Sequence, residues 1–125
     1  MEPIQTNRRL NRSEDIQVAL SFQLAATAER AKFESIVLAD DLGLVVAAAG
    51  RKSMCEQMAA VSPMLASNKR SWHGSVKTNK GQVRLSIAPV SVGKMKLYLC
   101  ACNGDEAGIT RELFNGGQGI SRILA

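Results

Sequence analysis

The chain has 125 residues and a formal net charge of +5, with 46% hydrophobic and 22% charged residues. That length suits one domain with one core, and that balance excludes a disordered, collagen-like or disulfide-scaffold chain. The longest apolar run, Leu44 to Ala49, falls far short of the ~20 residues of a membrane helix.

No apolar stretch follows Met1-Glu2-Pro3, so no secretory signal is read there. The cysteine count is odd (Cys55, Cys100 and Cys102), which argues for free thiols in a reducing compartment, with a cytoplasmic location expected. Charge is unevenly spread. No acidic residue occurs from Gln57 to Gly104, where Lys69, Arg70, Lys77, Lys80, Arg84, Lys94 and Lys96 carry +7. An acidic protein face, a phospholipid surface or a nucleic acid would feel that field, and a solvated basic face accounts for it equally well.

Residues 1–12 read as a flexible basic arm containing Arg8, Arg9 and Arg12, and residues 13–125 as the folded domain. From Ser13 to Lys32, Ile16, Leu20, Leu24 and Ala28 recur every four residues, the apolar stripe of an amphipathic helix. Ser35 to Ala39 and Leu44 to Ala49 are apolar runs on either side of Asp40-Asp41-Leu42-Gly43, which predicts a β-hairpin. Neither run alternates with polar residues, so both strands are expected to be buried on two faces. Met54 to Asn68 is helical in pattern, with Met54, Met58, Val61 and Leu65 on one face and a kink or restart expected at Ser62-Pro63. A short strand is read at Ser75 to Lys77, with Trp72 and His73 in the loop before it. Val83, Leu85 and Ile87 alternate with polar or small residues, and Pro89 is expected to weaken pairing at that strand's end. Met95, Leu97, Leu99 and Ala101 alternate in the next strand. A last helix is read from Asp105, its cap, to Phe114, stopped by Asn115-Gly116-Gly117, with one further helical turn at Ile120 to Ala125. The order α-β-β-α-β-β-β-α gives an α+β sandwich around a central, mainly antiparallel five-stranded sheet.

Little in this chain points to catalysis. Cys55, Cys100, Cys102 and His73 could supply a Cys₃His zinc set, but their spacing fits no common pattern, and buried thiols are ordinary core residues. His73 has no surrounding nucleophile motif, and Gly116-Gly117-Gln118-Gly119 lacks the Lys-Ser/Thr of a phosphate loop. Asp40-Asp41 is explained by turn chemistry. No catalytic residue, metal or cofactor is assigned. The methionines are more telling. Met54, Met58 and Met64 lie on a helix with few polar side chains, and a helix apolar nearly all round wants a second partner beyond its own sheet.

The element order, and above all the stretch Ser35-Ile36-Val37-Leu38-Ala39-Asp40-Asp41-Leu42-Gly43-Leu44-Val45-Val46-Ala47-Ala48-Ala49-Gly50, resembles the Roadblock family of Roadblock/dynein light chain domains and bacterial gliding-motility regulators. Profilin-like domains share a similar sheet. The resemblance covers the chain from Ser13 to about Phe114. It implies a homodimer or heterodimer, a homodimer being expected here, in which second helices pack together and edge strands join, using Met54, Met58, Val61, Leu65 and Val76. It also implies a non-enzymatic regulator or scaffold for a small Ras-like GTPase, acting by arranging the GTPase's own residues. Lys69, Arg70 and Trp72, after the interface helix, are the expected partner contacts. Two alternatives stay open: a basic adaptor for nucleic acid or acidic lipid, and a monomeric ligand-sensing domain.

Overall fold

Three strand pairs joined by short connections set the architecture. In the computed structural model, residues 3–67, 70–78 and 81–125 are described, with side chains from residue 14 onward. The elements in chain order are α1 (Pro3–Ala31), β1 (Phe33–Asp40), β2 (Val45–Ala49), α2 (Lys52–Leu65), β3 (Trp72–Thr78), β4 (Gly81–Val92), β5 (Met95–Asn103) and α3 (Ile109–Leu124). All five strands join one antiparallel sheet in the order β2-β1-β5-β4-β3. The α+β sandwich expected from the pattern is the fold observed.

The sheet separates two cores. On one face, α1 and α3 pack Leu20, Leu24, Leu113 and Ile120 against Ile36, Leu38, Leu97 and Leu99. On the other, α2 packs Cys55, Met58 and Ala59 against Val37, Ala39, Ile87 and Cys100. β1 contributes to both because alternate side chains of a strand point to opposite faces, and it is buried on both as expected. β2 is not. It forms an edge of the sheet and only Ala47 is fully buried, so the expectation of burial on two faces fails for it. Apolar composition alone does not separate a central strand from an edge strand lined with alanine. Between the two strands, Asp40 Oδ1 accepts hydrogen bonds from the N–H groups of Leu42 and Leu44, both at 2.9 Å. Gly43 takes φ +83, where a Cβ would also sit 3.2 Å from the Ala60 backbone. The turn thus needs glycine for its shape and for its closeness to α2.

Several element ends differ from the reading by pattern. The helix expected from Ser13 begins at Pro3. Pro63 causes no restart: α2 runs through it and ends two residues later, at Leu65. Trp72 and His73 lie in β3, not in a loop, and β4 pairs through Pro89 as far as Val92. Asp105 does not cap α3. Its carbonyl and carboxylate accept from Gly108 N–H and Ala107 N–H in a turn before the helix, and Gly108 is the N-cap. Nor do Asn115-Gly116-Gly117 stop α3, which runs unbroken to Leu124. These glycines mark close approach. A Cβ on Gly116 would meet Thr27 of α1 and Leu99 of β5, one on Gly117 would meet Val90, and one on Gly119 would meet Gln23. The ~1 kcal/mol helix cost of a glycine is offset by packing that only a bare backbone permits.

Candidate functional site

The two faces of the β3–β4 half of the sheet differ sharply. Strand alternation and the register place Trp72, Gly74 and Val76 of β3 opposite Ile87, Leu85 and Val83 of β4 on the α2 side. The same rule places His73, Ser75 and Lys77 opposite Ser86, Arg84 and Gln82 on the α3 side. One face is apolar and the other polar and basic.

The apolar face is only partly covered. α2 packs chiefly over β1, β2 and β5, at the opposite end of the sheet from β3. Leu85 and Ile87 are buried, but Trp72, Val76 and Val83 remain half-buried at the margin. Gly74 makes room for the indole, since a Cβ there would lie 2.7 Å from the Trp72 ring. Among the described residues β3 pairs only with β4, so its outer backbone edge is open.

The residues expected at an interface are distributed over this region. Met58 is 1% exposed and turns to the sheet, so it supports α2 from beneath instead of presenting a surface. Met54, Val61 and Leu65 are half-buried at the flanks of α2, and Val76 is half-buried on β3. Met64 is 73% exposed, and Gln57 and Ala60 are exposed on the outer side of α2. Met64, one of the three methionines that suggested a partner for this helix, was not in the expected interface set, and neither was Val83. The helical step from Ala60 to Met64 carries the signal that places Met64 outward, and the alternation of β4 places Val83 on the apolar face with Leu85 and Ile87. Among the expected partner contacts, Arg70 is exposed, Trp72 belongs to the apolar strip, and Lys69 lies outside the described residues.

No catalytic constellation emerges among the described residues. The three thiols sit on the α2 face and His73 is exposed on the other, so the four side chains do not converge. No group of three or more His, Cys, Asp or Glu side chains that could hold a metal is found there. Burial pushes the Cys100 thiol up from 9.0 to about 12, although Ser62 offsets part of the shift, and it raises Cys55 and Cys102 as well. Cys55 donates weakly to the carbonyls of Ile36 and Ala49. These are inert core thiols rather than nucleophiles. Among the described residues no helix is long and apolar enough to cross a membrane.

No family model matches the chain, and no curated protein matches it by sequence. Solved structures do match by shape. MglB of Myxococcus xanthus superposes with a TM-score of 0.63 at 10% identity, over 86% of this chain and 88% of that one. The gliding protein MglB of Thermus thermophilus gives the same score and identity over 86% and 90%. A Roadblock/LC7 domain from Streptomyces avermitilis gives 0.62 at 19% identity, over 83% and 96%. With helix, hairpin, helix, three-stranded meander and helix in the same order as the sequence resemblance implied, the chain has the Roadblock fold.

Proposed function

We propose that the protein is a non-enzymatic, dimeric regulatory or scaffold module whose partner is a small Ras-like GTPase. The observation that carries this reading is the half-buried apolar strip of Trp72, Val76 and Val83, at an open sheet edge of a fold shared with MglB. Apolar surface beside an unpaired edge is an invitation to association. A second copy approaching β3 pairs the free backbone groups and brings its α2 beside the strip. Met64 then forms the exposed centre, Met54, Val61, Leu65, Val76 and Val83 the half-buried flanks, and Met58 the support beneath. Arg70 and Trp72, with Lys69, provide the contact to the GTPase at the rim, where Arg and aromatic anchors are common. The GTPase keeps its own catalytic residues, so the module needs neither catalytic residue nor cofactor.

The test is solution mass by light scattering at low and high salt, followed by pull-down against GTP-loaded small GTPases of the same cell. The expected result is a mass of about 27 kDa, twice the 13.4 kDa chain, at both salts, with capture of a GTP-bound partner. A monomer at both salts, or no GTPase captured, overturns the reading. The second reading, an adaptor for nucleic acid or acidic lipid, draws support from the acid-free stretch between Gln57 and Gly104. Trp72 and Tyr98, however, lie on the apolar face, away from His73, Lys77 and Arg84, so no stacking platform accompanies the cations. That reading predicts binding that falls steeply with salt.

A further inference from the structure

On the face away from α2, a groove of about 520 Å³ runs between α3 and the β3–β4 margin of the sheet. Its α3 wall extends from Thr110 to Arg122, roughly 18 Å at 1.5 Å per residue. Phe114 stands in this wall and is 62% exposed, while Leu113 and Val90, both buried, form the floor. A large aromatic left in water beside a concave apolar floor is an anchor without its counterpart.

Among the described residues, Arg122 is the one charged side chain that lines the groove. β3, β4 and β5 contain no acidic residue. The one carboxylate of α3, Glu112, turns to α1 and pairs with Arg30 at 2.8 Å. Glu106, in a second recess adjoining the groove, is held by Arg84 at 2.6 Å. Arg122 lines the groove and has no ion-pair partner among the described residues. We propose that this groove holds an acidic amphipathic segment of a partner protein, with its apolar side on Phe114 and its carboxylates towards Arg122. The groove is long enough for about three helical turns, the span over which an amphipathic helix presents its anchors. The N-terminal part of α1, with Arg8, Arg9 and Arg12, has the wrong charge to fill it. A nucleic acid finds one phenyl ring and an aliphatic floor instead of a row of stacking aromatics. The site lies on the opposite face from the proposed dimer surface and does not depend on it.

Fluorescein-labelled helical peptides of about 14 residues test this by anisotropy, since that length spans the groove. Both carry the same leucine stripe, one with glutamate and the other with lysine at the remaining positions. The glutamate peptide is expected to bind about tenfold or more tightly than the lysine peptide, the more so at low salt. Phe114→Ser and Arg122→Glu are each expected to weaken it about fivefold or more. Both side chains are exposed, so the fold is retained, as far-UV circular dichroism will report. Phe22→Ser, which removes an equally exposed phenyl on α1, leaves binding unchanged. A monomeric Val76→Asp variant also retains it, which separates this site from the dimer. Equal binding of both peptides, no binding at millimolar peptide, or indifference to Phe114→Ser and Arg122→Glu overturns the proposal. So does tighter capture of phosphatidylserine vesicles or an oligonucleotide through the same two side chains.

Discussion

A Cβ on Gly116 would lie 2.8 Å from Thr27 Oγ1 and 3.1 Å from its Cγ2. Thr27 is fully buried, its hydroxyl donates to the Gln23 carbonyl, and a β-branched side chain has little room to turn. Gly116→Ala should therefore destabilise the protein by about 1–3 kcal/mol, against the usual helical gain of about 1 kcal/mol. At Gly117 the new methyl meets only Val90 Cγ2, at 3.3 Å, and the helical gain nearly cancels the contact. Urea denaturation of the two alanine variants checks this contrast; equal effects would remove the packing account of the glycines. The sequence rule that reads Gly-Gly as a helix stop has no access to a Thr on another helix. The thiols allow a second residue-scale prediction. The folded Cys100 thiol titrates at about 12 and the ordinary value is 9.0. Between those pH values the unfolded chain gives up a proton that the folded chain retains. The stability contribution is therefore complete below pH 9 and is lost as pH rises towards 12. The denaturation midpoint should fall over that window, Cys100→Ala should flatten part of the fall, and alkylation of the native protein near neutral pH should be slow.

Elements meet through contacts of unequal worth. Arg30 of α1 and Glu112 of α3 are 2.8 Å apart, and Glu112 is only 8% exposed. Removing Arg30 leaves that carboxylate mostly out of water, with Arg111 at 3.6 Å as its remaining cation. Arg30→Ala should cost about 1–2 kcal/mol, less than for a fully buried pair because the guanidinium is half exposed. Arg84 and Glu106 are closer, at 2.6 Å, and Arg84 is as exposed as Arg30, yet Glu106 is 82% exposed and keeps its water, so Arg84→Ala should cost about 0–1 kcal/mol. Thermal unfolding of the two variants ranks them, and the reverse order would show that distance outweighs burial here. The elements themselves were legible because hydrophobic period is a local property. Ile16, Leu20 and Leu24 or Val83, Leu85 and Ile87 announce helix or strand within a few residues. Their neighbours were not legible. That β2 is an edge, that β3 begins at Trp72 and that Met58 faces inward all depend on which elements lie alongside.

For the molecule as a whole, the question is which of two opposite faces of one strand pair does the associating. The α2 face of β3–β4 carries Trp72, Val76 and Val83, and the α3 face carries His73, Lys77 and Arg84. Both faces share the sheet edge, so a dimer joined only by backbone pairing would tolerate changes on either. A dimer that buries the apolar strip would not. A carboxylate at position 76 would be desolvated against Met64 and Val83 of that surface, a cost of several kcal/mol that no nearby cation in the strip offsets. Val76→Asp should therefore convert the proposed dimer to a folded monomer in light scattering, with its helical circular dichroism intact. Lys77→Glu, one residue along but on the other face, should leave the mass unchanged. Salt distinguishes the remaining possibility. Apolar burial holds or tightens as salt rises, whereas association through the basic face weakens over a Debye length of about 10 Å. If Lys77→Glu and salt dissociate the assembly while Val76→Asp does not, the copies meet through the charged face and the apolar strip serves a different protein.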